Sequence, residues 1–125
     1  MVYITYNSYS LEYFSIENNS PVKDFLHSVE DKKLQSKMYT YLNLLEEYGR
    51  VFHEPYVKYL YSSIYELRIR QSSNIARILF FYDGNKIVLT NGFIKKSNKT
   101  PRNEITKAIK YRKYYFERSK ANERY

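Results

Sequence analysis

The 125-residue chain has no cysteine and no tryptophan, and only three glycines and three prolines. Without cysteine, a disulfide framework, a thiolate nucleophile and a zinc–thiolate site are all excluded. A chain free of cysteine is compatible with a reducing cytosol, and a cytoplasmic location is the expectation. Gly49, Gly84 and Gly92 stand too far apart to build a phosphate-cradling loop or a dinucleotide fingerprint. That removes the nucleotide-dependent enzymes of those classes. No run approaches the roughly 18 apolar residues of a membrane span. Met1-Val2-Tyr3-Ile4-Thr5-Tyr6 lacks the basic-then-apolar order of a secretory signal, so no membrane or export role is expected.

What is present is charge of one sign in one place. The formal net charge is +8, from 21 Lys+Arg against 13 Asp+Glu. Residues 1–94 carry 10 basic and 10 acidic side chains, whereas residues 95–125 carry 11 basic and 3 acidic. The whole excess sits in the last quarter of the chain. With 43% hydrophobic residues the chain can bury a modest core, which fits a single domain over residues 1–125. Sixteen tyrosines are spread from Tyr3 to Tyr125. Most read as core and rim residues that combine apolar area with a polar handle; base-stacking platforms are the alternative.

Residues 2–6 alternate and are rich in strand formers, which predicts a first strand. Ser20 as cap and Pro21 at the first helical position open a helix in which Val22, Phe25, Leu26 and Val29 share a face. Leu34, Met38, Tyr41, Leu42, Leu45 and Tyr48 continue at helical spacing to a stop at Gly49. Glu30-Asp31-Lys32-Lys33 is either a break between two helices or an exposed turn of one. The antiparallel hairpin is the favoured form. From Tyr65 the period changes to two. Tyr65–Arg70, Ile75–Tyr82 and Lys86–Ile94, joined at Gln71–Asn74 and Asp83-Gly84-Asn85, predict a three-stranded antiparallel meander. Pro101 opens a last helix over about residues 101–119. The fold class is α+β: an N-terminal strand, a helical hairpin, the meander and a C-terminal helix, with the helices expected on one sheet face. The other face would then hold a partner or a site.

Arg68 and Arg77 interrupt apolar strands, and an unpaired buried guanidinium is costly, so each must be paired or face solvent. Glu66 shares a face with Arg68 and is the available ion-pair partner for either. After the third strand, Lys95, Lys96, Lys99 and Arg102 gather around the strand exit and the helix start, next to a small Gly92 that leaves room for a ligand to approach.

Three segments in order carry a resemblance. Tyr65-Glu66-Leu67-Arg68, Ala76-Arg77-Ile78-Leu79-Phe80-Phe81, and Gly92-Phe93-Ile94-Lys95-Lys96 with Lys99-Thr100-Pro101, Glu104 and Ala108, are similar to the RelE superfamily. They resemble most its phage-derived, HigB-type branch of type II toxin–antitoxin toxins, over about residues 20–118. The resemblance implies a metal-independent mRNA endoribonuclease, usually ribosome-dependent, that needs no cofactor and inhibits translation. It implies attack by the RNA 2′-hydroxyl to leave a 2′,3′-cyclic phosphate. It assigns Arg77 to transition-state clamping, Arg68 to a second phosphate contact, and Lys95 and Lys96 to phosphate or leaving oxygen. Lys99, Arg102, Arg70 and Lys107 are the expected RNA-binding residues around them. The expected partners are mRNA, the ribosome and a cognate helix-turn-helix antitoxin, through which alone operator DNA would be contacted.

The chain departs from relatives that carry a catalytic tyrosine early in the last helix, where it has Ile105. His53, in the loop before the meander, is the candidate general acid or base, with an ordinary loop histidine as the alternative. A non-catalytic nucleic-acid- or ribosome-binding module, or a degenerate toxin acting as operon co-repressor, are the competing functions.

Overall fold

The computed structural model describes residues 8–123. The strand predicted at residues 2–6 lies outside them. The elements run β1 (Ser10–Tyr13), α1 (Pro21–Ser28), α2 (Lys32–Tyr48), a 3-10 turn (Gly49–Val51), β2 (Val57–Tyr59), β3 (Tyr65–Gln71), β4 (Asn74–Asp83), β5 (Lys86–Lys95) and α3 (Arg102–Glu123). They form a mixed α+β fold around one five-stranded sheet, in the order β1-β5-β4-β3-β2. The predicted meander is its antiparallel centre. β1 adds to one edge parallel to β5, and the short β2 adds antiparallel to β3 at the other.

Local chemistry sets the boundaries. Pro21 occupies the first turn of α1, although the Ser20 side chain makes no capping hydrogen bond. Val29 is extended, and the Asp31 carboxylate accepts from the Lys33 and Leu34 amides at 3.0 and 3.2 Å. Asp31 thus caps a second helix, and the charged stretch is a break. Gly84 takes φ +58° at the first turn position between β4 and β5, a conformation that glycine adopts without strain.

The helices cover both sheet faces, which corrects the expected one-sided arrangement. Leu67, Ile69, Ala76, Ile78, Phe80, Ile87 and Leu89 face α1 and α2, and pack with Val22, Leu26, Leu34, Met38, Leu42 and Leu45. Leu79, Phe81 and Val88 point the other way, onto Phe14, Ile64 and the α3 residues Ala108, Ile109, Tyr115 and Phe116. The reason lies in β4, where residues 75–81 are all buried: a strand apolar on both sides needs two covers.

One irregularity in β5 decides which side chains reach the second face. Leu79 pairs with Asn91 but Phe80 pairs with Leu89, so Thr90 is an extra, bulged residue. Beyond it the alternation is reversed. Asn91, Phe93 and Lys95 fall on the α3 side, and Gly92 and Ile94 on the α1/α2 side. Gly92 therefore offers no room to a ligand. The Phe25 ring of α1 fills the space, and a Cβ there would sit 2.4 Å from it.

Candidate functional site

The α3-side face changes character along the strands. Under α3 it is apolar, but beyond the N-terminus of α3 it presents Glu66, Arg68 and Arg70 from β3 and Arg77 from β4. Arg68 and Arg77 are directly opposite each other in the ladder, a repulsive placement for two like charges. Glu66 lies diagonal to Arg77 and resolves the conflict. Its side chain is fully buried. Oε1 accepts from Arg68 Nε at 2.6 Å, and Oε2 lies 4.0 Å from Arg77 NH1. The same Oε2 accepts from the Thr100 hydroxyl.

The segment between β5 and α3 closes over this cluster. Arg77 donates to the Ser97 carbonyl and to Thr100 Oγ1, the latter at 3.5 Å. Arg68 NH2 donates to the Asn98 carbonyl at 2.7 Å, and Arg70 NH2 to Asn98 Oδ1 at 2.9 Å. Residues 97–100 thus form a strap fastened across three arginines. Its far end is fixed as well: Asn91 Nδ2, next to the bulge, donates to Glu104 Oε2 at 2.9 Å and to the Glu104 carbonyl at 3.2 Å. Burial lowers the Arg77 pKa from its ordinary value. Glu66 opposes that shift, while the charges of Arg68 and Arg70 add to it. The guanidinium remains a cation.

The structure brings Arg68, Arg70 and Arg77 together with the segment that carries Lys95, Lys96, Lys99 and Arg102. These last four are exposed, and among the described residues they have no ion-pair partner. Lys107 lies one turn into α3 and pairs with Glu104 at 3.5 Å. Arg77 has no exposed surface, because the strap covers it, so a direct phosphate clamp is not what this conformation presents. Its bonds instead fix the strap. Arg68, 16% exposed, is the sheet arginine of the buried network that still has surface.

His53 is not in this cluster. It lines a cavity with Tyr65 and Tyr82, whose rings pack with the α1/α2 core on the opposite sheet face. Among the described residues no group of three or more His, Cys, Asp or Glu is placed to hold a metal ion. No described helix is long and apolar enough to cross a membrane.

Ser97 and Asn98 are site residues that motif reading passes over, and Thr100 stands in the family-like motif without a role assigned to it. Thr100-Pro101 has the form of a helix start, so the hydroxyl looks like a cap. A second signal was present. A buried arginine needs acceptors, and the polar segment following the neighbouring strand is where the chain supplies them. Chemically, the arrangement is a fixed, buried ion-pair network beneath a rim of free cations. Such a rim suits a phosphodiester, whose oxygens accept charge-assisted hydrogen bonds.

A family model described as "Phage derived protein Gp49-like (DUF891)" matches residues 24–113. The match runs from α1 into α3 and includes the arginine cluster and the whole strap. No curated protein matches the chain.

Proposed function

The chain belongs to the phage-derived Gp49-like family, a RelE-like family associated with toxin–antitoxin systems, and from that premise we propose that it is the toxin of such a pair. In this reading it is of the HigB type and cleaves mRNA, on the ribosome, until a cognate helix-turn-helix antitoxin neutralises it. The observation that carries the reading is the cationic rim, Lys95 to Arg102 with Arg68 and Arg70, held in place by the buried Glu66–Arg77–Thr100 network.

The chemistry follows from charge. The 2′-oxygen of the nucleotide 5′ to the cut forms a bond to phosphorus, and the bond from phosphorus to the 5′-oxygen breaks. The products are a 2′,3′-cyclic phosphate and a 5′-hydroxyl, with one proton transferred from the 2′-oxygen to the 5′-oxygen. Negative charge grows on the phosphoryl oxygens during attack. Cations fixed beforehand stabilise it without having to reorganise. Arg68, Lys95 and Lys96 are assigned to the reacting phosphate, and Arg70, Lys99, Arg102 and Lys107 to neighbouring phosphates of the strand. Arg77 is assigned to positioning, through the Ser97 and Thr100 ends of the strap.

One observation favours a second reading, a non-catalytic RNA- or ribosome-binding module. Glu66, the carboxylate at the centre of the cluster, is fully buried with both oxygens engaged, and His53 lies on the other face. Both readings predict salt-sensitive binding, with log K falling by about 0.7 per neutralised phosphate for single strands. Cleavage separates them. Wild type and Arg68→Ala would be expressed without antitoxin, and mRNA 5′ ends mapped. Growth arrest with new in-frame ends for wild type, absent in Arg68→Ala, supports the toxin. Intact mRNA with folded wild-type protein supports the binding module.

A further inference from the structure

Exposed tyrosines occur singly at Tyr39 and Tyr114 but gather in one segment. Tyr48, Tyr56, Tyr59 and Tyr61 all lie in the connection from the end of α2 to β3. Of these, Tyr59 lines a cavity of about 330 Å³ on the α1/α2 side of the sheet, the one that His53 lines. Tyr59, Tyr65 and Tyr82 form its aromatic wall. Tyr59 meets Tyr65 at 5.0 Å between ring centroids and 65° between planes, and Tyr65 meets Tyr82 at 5.2 Å and 81°. One face of Tyr65 is stacked on Phe80 at 5.6 Å and 18°, and Tyr59, 53% exposed, is the ring of the wall with a face to offer.

The cavity also holds a cation. The Arg50 guanidinium lies over the Tyr82 ring at 3.9 Å from its centroid, and among the described residues it has no ion-pair partner. Stacking holds the guanidinium flat while its N–H edge stays available to bind an anion. His53 lines the cavity too and supplies a ring donor or acceptor. Glu54, the carboxylate in the lining, disfavours an anion at its own end and leaves the Arg50 end for one. A cavity of this size is at the small end for ligand sites, enough for one base and its sugar.

We infer that this cavity is a nucleotide subsite, with an unpaired base stacked on Tyr59 and its phosphate on Arg50. The inference rests on the RNA reading only for the source of the nucleotide, since a base bearing a phosphate is all that the cavity requires. Sequence-tolerant stacking on aromatic side chains is how single strands are held elsewhere.

The test is a titration of the purified protein, followed by NMR of the tyrosine rings, with AMP, GMP, CMP, UMP, a pentaribonucleotide and inorganic phosphate. A nucleotide should move the Tyr59, Tyr65 and Tyr82 ring resonances, whereas phosphate alone should not. Arg50→Ala and Tyr59→Ala should each weaken binding by about five- to a hundredfold. Tyr59→Phe, which keeps the ring and loses only the bond its hydroxyl accepts from the Ser63 amide, should bind as wild type. Equal affinity for mononucleotide and pentamer assigns the site to free nucleotides, and tighter pentamer binding assigns it to a strand. No ring shift with any nucleotide, or the same shifts with phosphate alone, overturns the inference. So does a shift produced only by an antitoxin, which would make the cavity a protein contact. The readout needs no turnover. Ring shifts without mRNA cleavage leave the subsite standing and remove the nuclease, and cleavage without ring shifts does the reverse.

Discussion

The two faces of the sheet are lined by the same strands but held by different forces. The α1/α2 face is apolar from Ile69 to Leu89 and is covered by two helices. The α3 face is apolar only under α3. Beyond that helix it is a salt-bridge network under a loop, with Glu66 and Arg77 fully buried. Apolar burial is non-directional. A buried ion pair is stabilising only with near-ideal partners, and removing one partner leaves an uncompensated charge. The polar half of the second face should therefore be the less forgiving region, and the one whose geometry is set most sharply.

Glu66→Ala strikes that contrast hardest. It strands Arg77 and should cost about 3–5 kcal/mol of stability, measured by urea unfolding. Glu66→Leu combined with Arg77→Met should cost less than the single change, because no fully buried charge is left unpaired; Arg68 loses the same partner but has surface in contact with water. A Glu66→Ala loss no larger than that of a surface variant would mean that the Ser97 carbonyl and the Thr100 hydroxyl alone satisfy Arg77.

Next comes Arg68→Ala, which in the nuclease reading lowers turnover by about 10²–10³, by analogy with the loss of one oxyanion donor. Single-turnover cleavage of a defined mRNA at fixed salt measures it, with unfolding midpoints showing that the fold survives. A loss no larger than that of Lys113→Ala would reduce the cluster to general electrostatics.

Gly92→Ala tests the opposite face. Its new methyl group collides with Phe25, and overpacking of this kind costs about 1–3 kcal/mol. Cleavage per folded molecule should not change, since the glycine faces α1 and not the strap. Reduced turnover at full folding would show that the faces are coupled.

The tyrosines give a pH signature. Burial pushes Tyr82 up to about 12, opposed by Arg50. Burial, together with hydrogen bonds to Asp83 and Glu12, raises Tyr115 as well. Both are raised above their ordinary value near 10, so the unfolded chain ionises first. Their contribution is fully present below pH 10 and is lost as pH rises from there through the folded values. The urea midpoint should fall between pH 10 and 12, and Tyr82→Phe or Tyr115→Phe should flatten the fall. An unchanged slope in both would place these rings in solvent.

The smallest effect belongs to Lys113→Ala and Lys120→Ala, on an α3 segment away from the strap. Turnover should move by far less than tenfold, with a modest change in the salt dependence of binding.

Periodicity made much of this fold legible. The helical faces of α1 and α2, the Gly49 stop, the meander and its turns follow from spacing and turn chemistry alone. β2 was not legible because three residues carry no period, and the sheet face that α3 covers was not because its apolar side is sparse, although its place in the chain was. In the site, the residue types were legible and their relations were not. Arg68, Glu66 and Arg77 drew notice as charges in strands, but that Arg77 has no surface depends on a loop whose contacts lie 20 and 23 residues away in sequence. His53 lies far from the cluster because the chain places it across the sheet, a fact that spacing cannot encode.

The absences set the first limits. A chain without cysteine and with three scattered glycines could not use thiolates or a glycine-rich phosphate loop, so arginine and lysine are left to meet an anion. The sequence alone also determined that its excess charge follows the last strand. Tertiary structure decided what those charges surround. The Thr90 bulge turns Lys95 onto the arginine side, and the register of β3 on β4 sets Arg68 against Arg77 with Glu66 between them. Composition and period are properties of neighbouring residues. A register, a bulge and a buried ion pair exist only once distant strands have met.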